Sequence, residues 1–391
     1  MKKILYFFPH NPLEKNSGCK TRALNLLLYF KKRNFQVDFL GIYHKGSDWF
    51  QQDINHFQSS GLVRNVDILK EKPVRENPIK RFLNYKLPKY LYQRKLKIQE
   101  SIPNYATYYI KFQFDNLLKR ETYDYIIISY AYWADLIRNN PLTGTAKTII
   151  DTHDFLTAQH QSDEGFILGS AFQDEIRRLM LFDEVWAIST DEEYIFNQFC
   201  KNKIRLIPVM LDQPHTIIPI AENKQYDLLY IASDNQHNIR SAKWFFEEVY
   251  PLLPTNINIC VIGAVIKHID ISYLNVTNVI FAEDIDQYYS KTKVVICPML
   301  TGTGVKVKVV EALSYGLPVV CTSRGVDGLP NKTNNGCLVS NNAKQFAENI
   351  LSLLNDPAFY QKQCVLSKEL FDINFKQSKC YKNLDEAFEN C

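Results

Sequence analysis

The chain has 391 residues, too many for one small core, so two domains of roughly 150 to 200 residues each are expected. Hydrophobic residues make up 46% and charged residues 23%, which is globular composition and excludes a disordered or fibrous chain. Lys and Arg number 46 against 42 Asp and Glu, a net charge of +4 that does not mark a nucleic-acid binder.

The apolar run from Ile4 to Phe8 is too short for a secretion signal, and no run reaches the roughly 18 apolar residues of a membrane span. A cytoplasmic location is therefore expected. Nine cysteines form no Cys-x-x-Cys pair and have no His at metal-ligand spacing, which fits reduced thiols.

Short β-branched and aromatic runs alternate with helical stretches, the pattern of parallel strands joined by crossover helices. Six strands are predicted in the first half: Ile4 to Phe8, Gln36 to Ile42, Tyr125 to Ser129, Lys147 to Thr152, Glu184 to Ser189 and Arg205 to Val209. Six more follow at Asp227 to Ala232, Ile257 to Gly263, Asn278 to Ala282, Lys293 to Pro298, Pro318 to Thr322 and Gly336 to Val339. Between the halves lies a Pro-bearing polar stretch without apolar period. The expected division is a first domain at 1–210, a linker at 211–225 and a second domain at 226–375, with a final amphipathic run, 376–391, available to pack back on the first.

The strongest local pattern runs from Thr301 through Gly302, Thr303 and Gly304 to Glu311, Gly316 and Pro318. A strand enters a glycine-bearing loop, a helix follows, Gly316 ends it and Pro318 opens the next strand. The first amides of a helix have no intrahelical partner, so this loop suits an anion such as a diphosphate. Gly304, Lys308 and Glu311 are spaced four and three residues apart, on one helix face. The ammonium suits a phosphate and the carboxylate suits a ribose diol, although the same two residues also read as an ordinary solvated pair.

This ordered set resembles the donor-site signature of GT-B glycosyltransferases, specifically the large retaining family 4. The resemblance implies an α/β chain with two Rossmann-like domains facing across a cleft. It implies transfer of a sugar from a nucleotide-sugar donor to a hydroxyl of a glycan or lipid-linked saccharide, in cell-surface polysaccharide synthesis. No cofactor or metal is required. Family members commonly carry two glutamates eight positions apart; Glu311 matches the second, on the ribose, while Thr303 occupies the first position. Gly302, Thr303, Gly304, Lys306, Val307, Lys308 and Glu311 are thus expected at the donor, with Lys306 and Lys308 on the diphosphate.

The loop from Pro9 to Cys19 is similar to the family's first loop, with Gly18-Cys19 where a Gly-Gly pair is usual, so both residues are expected near the donor phosphates. In Ile149-Ile150-Asp151-Thr152-His153-Asp154 the strand ends in polar residues at its carboxyl edge. Family resemblance makes His153 the principal catalytic candidate and Asp154 a second. Asp284-Ile285-Asp286 spells a metal motif of another fold, but it precedes a short helix and reads as helix capping.

From 70 to 97, ten basic residues against Glu71 and Glu76 are interleaved with Phe82, Tyr85, Leu87, Tyr90, Leu91 and Tyr92. This suits an anionic membrane surface on the inner face of the membrane, or a solvated helical insertion. Two other functions stay open: a GT-B-type nucleotide-sugar epimerase, and a non-catalytic two-lobed binding protein.

Overall fold

The computed structural model describes residues 1–14, 17–43, 49–73, 77–95, 101–212, 224–270 and 273–389. Most of the predicted linker, 213–223, lies outside the described residues. Two compact units emerge, Met1–Ile188 with Glu192–Leu206, and Ser189–Asp191 with Ile207–Cys391.

The first unit is built on β1 (Lys3–Phe7), β2 (Gln36–Tyr43), β3 (Asn65–Lys70), β4 (Tyr125–Ser129), β5 (Lys147–Asp151), β6 (Glu184–Ala187) and β7 (Lys203–Leu206). All pair in parallel, in the order β3-β2-β1-β4-β5-β6-β7. Every residue of β4 is buried, which is why its sequence is a continuous apolar run. Leu5, Phe7, Ile126 and Ile128 point into one cluster with Ile110, Phe114, Trp133 and Leu179 from the covering helices. Edge strand β3 escapes the sequence pattern because only Leu69 in it is buried, while Asn65, Asp67 and Lys70 are exposed. β7 starts at Lys203 rather than Arg205, and its half-exposed side chains explain the shift.

The second unit holds β8 (Tyr226–Ile231), β9 (Ile259–Ile262), β10 (Val276–Val279), β11 (Thr292–Cys297), β12 (Val319–Cys321) and β13 (Cys337–Val339). Their order is β10-β9-β8-β11-β12-β13, again parallel throughout. Helix Gln377–Glu389 is grouped with this unit, and the chain entering it is tied to Leu211, whose carbonyl accepts from Gln377 N at 2.9 Å.

In each sheet the strand order reverses once, between β1 and β4 and between β8 and β11. Neighbouring loops there leave the sheet in opposite directions and open a crevice beyond the carboxyl ends of the strands. The chemistry-bearing loops of the sequence emerge at these two points.

Candidate active site

In the second unit, the loop after β11 carries Gly302 at φ +92° and Gly304 at φ +75°, a left-handed backbone that favours glycine at both. Helix Val307–Ser314 begins immediately after. Its N-cap, Lys306, has extended backbone and makes no side-chain cap, so no side chain at that position claims the first amides. The Lys306 ammonium turns back onto its own loop, donating to the carbonyls of Thr303 at 2.9 Å and Gly304 at 2.7 Å. Buried there, Lys306 holds the glycine loop in shape.

Lys308 Nζ donates to Asn238 Oδ1 at 3.2 Å and lies 5.7 Å from the centre of the Tyr230 ring. Burial lowers its pKa, against the attraction of Glu311. Asn238 belongs to helix Gln236–Trp244, which follows β8, so this bond joins the two loops of the switch point. Thr301 Oγ1 and His237 Nδ1, 2.8 Å apart, join them a second time. One turn beyond Lys308, Glu311 Oε2 accepts from Tyr289 Oη at 3.0 Å. Burial pushes the Glu311 carboxyl up to about 7, while Tyr289 and Lys308 pull the other way. Gly316 closes the helix at φ +67°, as its position in the sequence implies.

In the first unit, β4 leads into Tyr130 and β5 toward His153, and both adopt the left-handed region, at φ +67° and +61°. Such backbone costs a residue with a β-carbon about 1–3 kcal/mol and persists only where its surroundings enforce it. Two neighbouring strand ends carry that strain, and their rings stack with centroids 4.4 Å apart at 19°. Phe8, just past β1, stacks on the same imidazole at 5.5 Å. Nε2 of buried His153 lies 3.0 Å from Asp151 Oδ2, and Nδ1 has no hydrogen-bond partner. Burial and the charges of Arg22 and His10 lower its pKa more than Asp151 raises it, which leaves a neutral imidazole at pH 7.

Beneath this ring sits a fully buried ion pair. Arg22 donates to Asp151 Oδ1 through Nη2 at 2.6 Å and through Nε at 2.9 Å. Burial alone would raise the Asp151 pKa, but Arg22 and His153 hold it well below the usual carboxylate range. Thr152 extends the network by donating to Glu192 Oε2 at 2.9 Å. Half-buried Asp154 lies close enough to Tyr130 to raise its hydroxyl pKa, after the larger effect of burial.

Gly18 and Cys19 open helix Gly18–Lys32 after the β1 loop. Cys19 is helical, so the missing second glycine imposes no strain, and its Sγ lies 3.2 Å from Ser17 Oγ. The carboxylates of the Asp-Ile-Asp segment are engaged locally: Asp284 Oδ1 accepts from Asp286 N at 3.0 Å, and Asp286 accepts from the Tyr315 hydroxyl. Among the described residues, no group of three or more His, Cys, Asp or Glu is placed to hold a metal ion.

Residues 225–356 match the family model described as glycosyl transferases group 1. The second unit is a group 1 glycosyltransferase domain. Across the whole chain, the two parallel-sheet units have the architecture of GT-B glycosyltransferases. Sucrose-phosphate synthase from Thermosynechococcus elongatus superposes with a TM-score of 0.69 at 15% identity, covering 100% of this chain and 99% of that one. Anabaena HepE, solved in complex with UDP and glucose, gives 0.67 at 13% identity, with both chains fully covered. A variant of TarM from S. aureus, in complex with fondaparinux, alpha-GlcNAc-glycerol and UDP, gives 0.68 at 13% identity over 99% of this chain and all of that one. Among curated proteins, an uncharacterized 44.6 kDa protein in the cps region of Klebsiella pneumoniae is 23% identical, covering 90% of this chain and 91% of that one.

Sequence reasoning brought together Gly302, Gly304, Lys308 and Glu311 of the glycosyltransferase domain, and it pointed to His153. It missed Tyr289, Tyr130 and the Arg22–Asp151 pair. Arg22 carried a signal: it lies among Ala23, Leu24, Leu26 and Leu27 on a helix whose inner face is apolar, where a charge requires a partner. Nothing local marks Tyr130, because its strain arises from the strands on either side.

Proposed function

We propose that the chain is a retaining glycosyltransferase, similar to family 4, that moves a sugar from a nucleotide-sugar donor onto a hydroxyl of a glycan or lipid-linked saccharide. The observation that carries this reading is the donor constellation of the second unit, in which a helix N-terminus without a side-chain cap, Lys308 and Glu311 follow one left-handed glycine loop. The diphosphate is read by the first amides of helix Val307–Ser314 and by Lys308, and the ribose diol by Glu311. Lys306 acts through the loop it secures rather than on the phosphate. Stabilising negative charge on the departing diphosphate is the main catalytic contribution, made by dipoles fixed before the donor arrives. No metal ion is assigned a role.

His153 serves the transferred sugar. A neutral imidazole whose Nδ1 is unpartnered, clamped between aromatic rings, orients a hydroxyl without adding charge, and the strained backbone at residue 153 keeps it there. Cys19 and Asp154 lie beside Tyr130 of the same ring system; Asp154 is the second catalytic candidate, and Gly18 and Cys19 are assigned to the donor phosphates. A place in cell-surface polysaccharide synthesis is supported by two similar proteins, the Klebsiella protein of the cps region and the lipopolysaccharide outer core galactosyltransferase WaaB.

Membrane delivery of the acceptor fits the helical run 78–95. Ile79, Phe82, Leu83, Leu87, Tyr90 and Leu91 are exposed at helical spacing, beside Lys86 and Lys89. No helix among the described residues is long and apolar enough to cross a membrane. An apolar stripe flanked by lysines suits the surface of an anionic bilayer, each basic group contributing about 1 kcal/mol. Arg75, Glu76 and Lys97 of the predicted basic segment lie outside the described residues.

A thermal-shift screen against uridine, guanosine and cytidine diphosphates tests the central reading. At one hundred times its Kd a matching nucleotide stabilises its domain by about 2.7 kcal/mol, a rise in Tm of roughly 5 to 10 °C, and Glu311→Ala abolishes most of it. Indifference to all three nucleotides overturns the proposal.

A further inference from the structure

A cavity of about 590 Å³ lies within the first unit, beyond the carboxyl ends of β1, β2 and β4. Its size falls in the range of small-molecule sites, about 300–1,000 Å³. Tyr85, Tyr105, Tyr130, Tyr132 and Trp133 are among its lining residues. Tyr105 and Tyr132 lie 5.0 Å apart, and Tyr105 and Trp133 5.6 Å apart. These faces are held from behind. Trp133 packs against Phe7 of β1 at 5.2 Å, and the Tyr132 hydroxyl is 2.7 Å from His160 Nε2, whose Nδ1 is 2.6 Å from Asp163. Tyr132 therefore offers its ring to the cavity on a fixed hydroxyl anchor.

The same cavity touches the reaction centre. Tyr130 lines it, and that ring is the one stacked on His153. At the other end stand charges: Lys72 and Lys89 against Glu71, with Lys89 Nζ 5.8 Å from the centre of the Tyr85 ring. Lys89 belongs to the run that carries the exposed apolar stripe. Rigid aromatic faces suit the C–H faces of a pyranose, His10 and Asn104 on the wall suit its hydroxyls, and two lysines to one carboxylate favour an anion.

We propose that this cavity is the acceptor pocket and that it takes a saccharide bearing a phosphate, with a sugar ring on Tyr105, Tyr132 and Trp133 and the phosphate at Lys72 and Lys89. The inference rests on the glycosyltransferase reading and names its acceptor class. The phosphate belongs either to a phosphodiester-linked lipid or to a free phosphorylated sugar, and the pocket reads the chemistry the two share.

The test is a binding titration of the full chain with methyl glucoside, glucose 6-phosphate and glucose joined through phosphate to a short prenyl alcohol. Tryptophan fluorescence reports binding, and Trp133→Phe removes the local reporter. Both phosphorylated probes are expected to bind at least tenfold tighter than methyl glucoside. Lys72→Ala with Lys89→Ala should cut that preference below threefold, and Tyr105→Ala should weaken all three probes at least fivefold. Both lysines and Tyr105 are solvent-accessible, so these variants keep their fold. Tighter binding of the prenyl probe assigns the lipid source, and equal binding of the two phosphorylated probes assigns the free sugar. Equal affinity for neutral and phosphorylated probes, or variants that bind like wild type, overturns the inference. UDP-induced thermal shift is read on the same samples. Sugar binding without a UDP shift sinks the donor reading and leaves the pocket standing, whereas a UDP shift without sugar binding sinks the pocket alone.

Discussion

Raising the pH from 6 to 8 should tighten UDP binding through Glu311. Burial pushes this carboxyl up to about 7, against the Tyr289 hydroxyl 3.0 Å away and the charge of Lys308. A ribose diol donates two hydrogen bonds, which the ionised carboxylate accepts better than the acid. With a pKa of about 7, the ionised fraction rises from roughly 0.09 at pH 6 to roughly 0.91 at pH 8, a tenfold gain in the competent form worth about 1.4 kcal/mol. The terminal phosphate of UDP ionises near pH 6 and adds its own dependence. Isothermal titration at pH 6, 7 and 8 is therefore compared between wild type and Glu311→Gln, and the difference between the two curves isolates the carboxylate. Tyr289→Phe removes a donor that favours the charged form and should move the wild-type curve to higher pH. Parallel curves for wild type and Glu311→Gln, or a difference that shrinks with rising pH, would refute the assignment.

Asp151→Asn leaves the Arg22 guanidinium buried without its counter-charge and should cost about 3–5 kcal/mol in denaturant unfolding, whereas Arg22→Met with Asp151→Leu should lose less; equal losses would show that the charge pairing is immaterial. Stability without ligand should decline from pH 5 to pH 9. Burial raises Glu175 to about 7 and Glu192 to about 8. A carboxyl whose folded pKa exceeds the unfolded value keeps its proton longer in the native state. Its contribution is complete below about 4.5 and is lost as pH climbs through 7 to 8. Glu192→Gln should flatten the upper part of the Tm profile, and a profile as steep as wild type would count against a protonated Glu192. Phe82→Asp with Leu83→Asp, both at exposed positions, should weaken co-sedimentation with anionic vesicles at least tenfold; a wild type that ignores such vesicles ends the membrane reading.

Much of the glycosyltransferase domain was legible because its information is local. The glycine loop, the cation and carboxylate one turn apart, Gly316 and Pro318 all lie within eighteen residues of Thr301 and act on their own helix. Strands such as β4 and β11 announced themselves for a related reason, since burial on both faces demands unbroken apolar runs. β3 did not, because an edge strand needs only one apolar contact. Asp284 shows the limit of motif spelling: the letters fit a metal site, and the backbone assigns the carboxylate to an amide two residues away.

What the amino-acid order determined by itself was therefore the two parallel sheets, the glycine turn after β11 and the residues that flank it, all set by hydrophobic period and helix-end chemistry. Only the tertiary structure decided that Tyr289 reaches Glu311 across 22 positions and that Arg22 meets Asp151 across 129. It alone placed Tyr130 and His153 in matched strain. Those contacts depend on which strands lie side by side, and no short stretch of sequence encodes a neighbour that arrives from another part of the chain.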